Sequence, residues 1–221
     1  MKLSIIMPVY NAGCYLEEAV ESISSQTWNG EKEIIIVDDQ SEDHSFTTAQ
    51  RLGDRVISVK HGGAAKARNV GLKMACGDYI LFLDADDVLS QDALENLFTA
   101  MEDDSNCEVV YGKAKDFVSQ ELSSEQRMKL KARENGYGGV LPGCALIKKT
   151  VFDWNGYFDE NLSSGETVDW MMNLKETGAV VREINQVTLR RRLHMTNTGR
   201  LKREEEMKNY AAILRKRMSK E

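Results

Sequence analysis

The chain has 221 residues, 42% of them hydrophobic and 29% charged, with a formal net charge of −6 at pH 7. That balance suits one globular domain able to bury a core, and it excludes disordered and fibrous classes. The negative charge argues against nucleic acid as a main partner, and the longest apolar runs, "IIIV" at 34–37 and "YILFL" at 79–83, fall far short of the roughly 20 residues that span a membrane.

Lys2 leads at once into a strand-like segment that runs to Pro8, so no secretory signal is expected and the expected location is cytoplasmic. Cys14, Cys76, Cys107 and Cys144 are widely spaced with no C-x-x-C pair, which predicts free buried thiols.

Ile/Val/Leu-rich runs of strand length occur at 3–9, 33–39, 55–61 and 79–85, with little internal alternation, as in strands covered on both faces. Between the first two, residues 11–26 predict a helix capped by Asn11 with Leu16, Val20 and Ile23 on one face. Segments 39–52 and 62–77 fill the next gaps at helix length, the first capped by Ser41 and the second ended by Gly77. After the fourth strand, Ser90 caps a helix with the stripe Leu94, Leu97, Phe98 and Met101.

Strand and helix in strict turn predict an α/β fold with a mostly parallel, Rossmann-like central sheet and flanking helices. Ligands of such sheets bind at the carboxyl ends of the strands. "PVYN", "DDQS" and "DADD" stand at three such ends.

The second half is less regular. Residues 107–117 read as a strand, 119–136 as a surface helix or excursion, and "GYGGVLPGCALI" (136–147) as a glycine-rich loop. Alternation at 180–194 precedes a final helix from about Lys202, with Met207, Tyr210, Ile213 or Leu214, and Met218 along one side and basic residues on the other. This divides the chain into a domain over 1–200, with halves 1–112 and 113–200, and a basic amphipathic helix over 201–221. That helix packs on the domain by default; dimerisation and peripheral contact with an anionic bilayer are the other readings.

Asp84, Asp86 and Asp87 repel one another at a strand end unless a cation sits among them. Mg²⁺ or Mn²⁺ takes one or two carboxylates plus phosphate oxygens, while an Asp-rich turn is the plain structural reading. Asp38 or Asp39 can accept a hydrogen bond from a base or ribose, or simply cap the next helix. Neither G-x-G-x-x-G nor G-x-x-x-x-G-K-[ST] occurs, so a bound diphosphate needs metal and Lys or Arg for neutralisation.

"SIIMPVYN", "EIIIVDDQSED", "GGAAKARNVGLKMACGDYILFLDADD", "VFDWNGYFDENL" and "LRRRLHMTNTGR", in this order over residues 3–200, resemble the family 2 glycosyltransferases of GT-A fold. The resemblance implies an inverting transfer of sugar from a nucleotide-diphosphate sugar, by preference a UDP-sugar, to a glycan or lipid-linked acceptor in polysaccharide or glycoconjugate synthesis. It implies that Pro8 and Tyr10 wall the base pocket, Asp39 accepts the base imide N–H, Asp84 contacts ribose and Asp86 binds Mn²⁺ or Mg²⁺. Asp87 then stands behind these, and Lys66 and Arg68 meet ribose, base or phosphate. A closing "RR.H..N..R" segment is matched by Arg191, Arg192, His194, Asn197 and Arg200, which places Arg191 and Arg192 on the donor and His194 on the metal or diphosphate.

The family base lies in an "ED" dipeptide, whereas this chain has "GETVDW". Thr167 replaces the Asp, and Glu166 and Asp169, three residues apart on one helical face, stay open as the base that takes the acceptor's proton. Thr167 also leaves room for an inactive nucleotide-sugar-binding partner subunit. A sugar-phosphate nucleotidyltransferase is the weaker alternative, since "PVYN" is not a triphosphate loop.

Overall fold

The computed structural model describes residues 1–139, 141–197 and 203–218. The first half alternates β1 (Lys2–Val9), α1 (Gly13–Ser24), β2 (Glu31–Asp38), α2 (Ser45–Leu52), β3 (Arg55–Ser58), α3 (Ala64–Met74) and β4 (Tyr79–Phe82). A short β5 (Val88–Leu89), α4 (Ala93–Glu102) and β6 (Val109–Val118) follow. Then come α5 (Ser124–Met128), β7 (Ala145–Lys148), α6 (Val151–Asn155), α7 (Glu166–Glu176), β8 (Val181–Leu193) and α8 (Arg203–Met218).

The strands form one sheet in the order β3-β2-β1-β4-β7-β6-β8-β5. β3, β2, β1 and β4 run parallel, β7 is antiparallel to both neighbours, β8 is parallel to β6, and β5 closes the edge antiparallel to β8. The mostly parallel α/β sheet is borne out.

Side chains along β1 alternate between two cores, as the pleat requires. Leu3, Ile5, Met7 and Val9 face α1, α2 and α4, while Ile6 faces α3, α6 and α7. The α4 stripe Leu94, Leu97, Phe98 and Met101 is buried as expected, and Phe98 stacks on Trp28 at 4.2 Å. Trp170 of α7 stacks on Phe152 at 4.9 Å and donates its indole N–H to the Gly156 carbonyl at 2.7 Å.

Several local expectations change. Residues 145–147, expected within the 136–147 loop, form β7 with Lys148, and the side chains of Ala145, Leu146 and Ile147 are buried between β4 and β6. The N-caps of α1, α2 and α4 are Ala12, His44 and Asp92, not Asn11, Ser41 and Ser90. Helix α3 ends at Met74 with Ala75, not Gly77, as its C-cap. Of the cysteines only Cys107 and Cys144 are buried; Cys14 and Cys76 are exposed, and all four are free.

Helix α8 packs on the domain through Tyr210 and Ile213, but Met207 and Leu214 point outward, so the apolar stripe is narrower than expected. No described helix is long and apolar enough to cross a membrane.

Candidate functional site

The turns after β1 and β2 interlock. Asn11 and Gln40 both adopt left-handed backbone, with φ 48 and φ 62. For non-glycine residues this costs energy that neighbouring contacts must offset. The Asn11 side-chain oxygen accepts from the Glu42 amide at 2.8 Å, and the Asn11 amide donates to the Ser41 hydroxyl at 3.0 Å. Those bonds hold Asn11 and Ser41 away from the capping roles expected of them.

Asp39 is buried, and its two oxygens accept from the Gly62 and Gly63 amides at 2.8 Å each. His61 Nδ1 lies 2.9 Å from the same carboxylate, and its ring meets Tyr10 at 4.6 Å. Tyr10 is 48% exposed and leaves an aromatic face open beside the β1 end, with Pro8 half-buried behind it. Asp38 turns to the Ser58 hydroxyl and the Ser41 amide. His61 was not singled out in the sequence, although its place just before Gly62 and Gly63 is a signal of close backbone approach.

The β4–β5 turn carries the carboxylate cluster. Arg68, on α3 and 3% exposed, donates to Asp84 at 2.7 Å and to Glu166 at 2.5 Å. Burial alone would lower the Arg68 pKa, but the Asp84 and Glu166 charges outweigh it and raise it. A fixed cation therefore joins the end of β4 to the first residue of α7.

His194 Nε2 lies 2.9 Å from Asp86 Oδ2, and the Asn197 amide approaches the same oxygen at 3.3 Å. The backbone amide of His194 donates to the Asn197 side-chain oxygen at 2.7 Å, and Tyr15 flanks the imidazole at 4.9 Å. Asp87 is buried and accepts from the Arg192 amide at 2.9 Å. Its burial, then the nearby Asp86 and Asp84 charges, push its carboxyl well above the usual range.

Arg192 departs from the donor contact expected of it. Its buried guanidinium donates to the Asp86 carbonyl at 2.8 Å and to Glu18 at 2.5 Å, and lies over the Tyr15 and Phe117 rings. It braces the carboxylate turn against α1. Arg191 is half-buried beside Asp87 and Tyr137. Lys66 Nζ donates to the Lys60 carbonyl at 2.5 Å, which ties it to the loop before α3. Arg200 lies outside the described residues.

Glu166 and Asp169 both sit in the first turn of α7. Thr167 lines an apolar cleft with Trp170, Met171, Tyr111, Leu141 and Phe158. At 100° per residue Asp169 lies roughly 160° around the helix from Thr167, away from this cleft. Glu166, 14% exposed at its side chain, instead faces Arg68.

The donor set of Asp86 and His194 fits a divalent ion. One carboxylate oxygen and one imidazole nitrogen converge and would hold such an ion, with phosphate and water oxygens as its further ligands. Among the described residues no three His, Cys, Asp or Glu side chains form a complete protein cage.

A mostly parallel sheet with carboxylates at its strand ends agrees with the GT-A fold that the motif resemblance implies. The family described as Glycosyl transferase family 2 matches residues 4–154, and the chain belongs to it. The chain is 34% identical over 176 residues to glycosyltransferase GlyG of Streptococcus pneumoniae serotype 4, covering 68% of this chain and 58% of that protein. It is 34% identical over 199 residues to the minor teichoic acid biosynthesis protein GgaB of Bacillus subtilis, covering 81% of this chain and 22% of GgaB. The chain thus spans only part of these relatives. The structure of S. aureus TarS 1–349 in complex with UDP matches with a TM-score of 0.70 at 25% identity, over 87% of this chain and 61% of that one. The family and fold expectations are borne out.

Proposed function

We propose that this chain transfers a sugar, with inversion, from a UDP-sugar to an acceptor hydroxyl in the synthesis of a surface polysaccharide or related glycoconjugate. The observation that carries this reading is the convergence of Asp84, Asp86, Arg68, His194 and Glu166 at the carboxyl end of β4. The match to the TarS structure in complex with UDP and the similarity to the minor teichoic acid biosynthesis protein GgaB support donor class and pathway.

In this reading Tyr10 offers its exposed face to the base, Asp39 its remaining acceptor capacity to the imide N–H, and Asp84 a carboxylate oxygen to ribose. Asp86 and His194 hold Mn²⁺ or Mg²⁺, which when bound neutralises charge on the departing diphosphate. Among the described residues Arg191, beside Asp87 and Tyr137, is a basic side chain that serves phosphate. Glu166 is the base: it takes the acceptor proton as that oxygen bonds to the anomeric carbon, opposite the breaking bond to diphosphate. Its contact with Arg68, which also holds Asp84, favours it over Asp169.

The test is consumption of UDP-GlcNAc with Mn²⁺ by Glu166→Gln and Asp169→Asn. Glu166→Gln should lose about a hundredfold or more in rate and Asp169→Asn far less; the reverse order would move the base to Asp169. Thr167, in the place of the family's Asp, keeps one alternative, a subunit that binds donor without turning it over. Tight UDP binding with no consumption across acceptors would establish that alternative.

A further inference from the structure

Helix α8 touches the loop that immediately precedes Glu166. The Asn209 side-chain amide donates to the hydroxyl oxygens of Ser163 and Ser164, each at 2.9 Å. Tyr210 and Ile213 lie against Gly165, where a Cβ would come within 2.8 Å of a Tyr210 ring carbon and 3.2 Å of Ile213 Cδ1. Gly165 has φ 83 and ψ 5, a left-handed conformation that favours glycine. The missing side chain therefore serves both the turn and the seat for α8. Ile213 is buried, whereas Met207 and Leu214 are 61% and 50% exposed.

Gly165 is also the N-cap of α7, and no side chain caps that helix start. Its carbonyl accepts from the Asp169 amide at 2.9 Å, closing the first turn. The direction in which Glu166 leaves the helix depends on how residues 163–165 are held. Resting on the reading of Glu166 as base, we propose that α8 is a positioning strap, whose Asn209, Tyr210 and Ile213 fix the 163–165 loop and so aim Glu166 at Arg68 and the acceptor. The residues act through Glu166 and touch no substrate.

The full chain with Asn209→Ala and Ile213→Ala together is compared with wild type in two measurements. Amide hydrogen exchange should quicken at 163–169 while the β1 and β4 amides stay protected. The kcat for UDP-GlcNAc consumption should fall about tenfold, with KM and UDP affinity held within about twofold. Tyr210→Ala should reproduce the kcat loss and Tyr210→Phe, which keeps the ring, should restore it. Unchanged exchange at 163–169, or faster exchange with wild-type kcat, overturns the proposal. A joint fall of kcat, UDP affinity and protection throughout the sheet also overturns it, because that is loss of fold. Wild-type protein that binds UDP but consumes no donor would instead sink the base assignment, and the exchange result would still decide whether α8 sets the loop.

Discussion

Arg68 links two carboxylates that are 16 and 98 residues away in sequence. Its planar fork reaches both, which an ammonium on a flexible stem cannot do with the same geometry. On the proposed function, Arg68→Lys should fold but transfer from a UDP-sugar about a hundredfold more slowly, because Glu166 loses its fixed direction. Arg68→Ala should also lower unfolding stability by about 3 kcal/mol in urea titration, since it leaves carboxylates clustered without their buried cation. Equal rates for Arg68→Lys and wild type would show that the fork is not needed. Asp84 and Asp86 are legible in the sequence because three acids in four positions at a strand end have a local cause. The Arg68–Glu166 contact and the Glu18–Arg192 contact, the latter spanning 174 residues, leave no local trace.

At the scale of elements, α3 carries Arg68 into place by close approach to β1. A Cβ on Gly71 would lie 2.3 Å from Ile6 Cγ2, so the helix sits nearer the sheet than an alanine permits. Gly71→Ala should cost about 1–3 kcal/mol by thermal or urea unfolding, and should loosen the Arg68 contacts with it. The stretch after α5 is fastened to β6 by Asp116, which accepts from the Tyr137 hydroxyl at 2.6 Å and from the Arg133 amide and side chain at 3.0 and 3.1 Å. Burial raises the Asp116 pKa, but these bonds outweigh it and hold the carboxyl below 3.8; burial, then Asp116, pushes the Tyr137 phenol up to about 12.

Because the folded value of Asp116 is depressed, its stabilisation is present at neutral pH and lost as pH falls below 3.8 through that folded value. Asp116→Asn should therefore be less stable than wild type at pH 7 by about 1–2 kcal/mol, and the gap should close on acidification through that range. A gap independent of pH would assign the loss to packing instead.

The long Ile/Val runs made β1, β2 and β4 readable, since strands buried on both faces need continuous apolar sequence. β7 was hidden because four residues beside Pro142 and Gly143 look like loop, and only pairing with β4 and β6 makes them a strand. Cap assignments failed where side chains bond across loops rather than to their own helix, as Asn11 does with Glu42.

Over the whole molecule, the change from parallel to antiparallel pairing at β7 shapes the site. The parallel half brings Tyr10, Asp39 and Asp84 to one edge, and the long β8 returns beside β6 to deliver Arg191, Arg192 and His194 to the same edge. The two-residue β5 pairs with Leu189 and Arg190, which docks the carboxylate turn against that strand. Asp86 and His194, 108 residues apart, meet there. In the proposed function, metal and nucleoside diphosphate bind together at that meeting point.

Calorimetric titration of UDP into the protein with Mn²⁺, then with EDTA, repeated on Asp86→Asn, measures this directly. UDP binding should need the metal and weaken by about tenfold or more in Asp86→Asn. Binding indifferent to both EDTA and the substitution would contradict it.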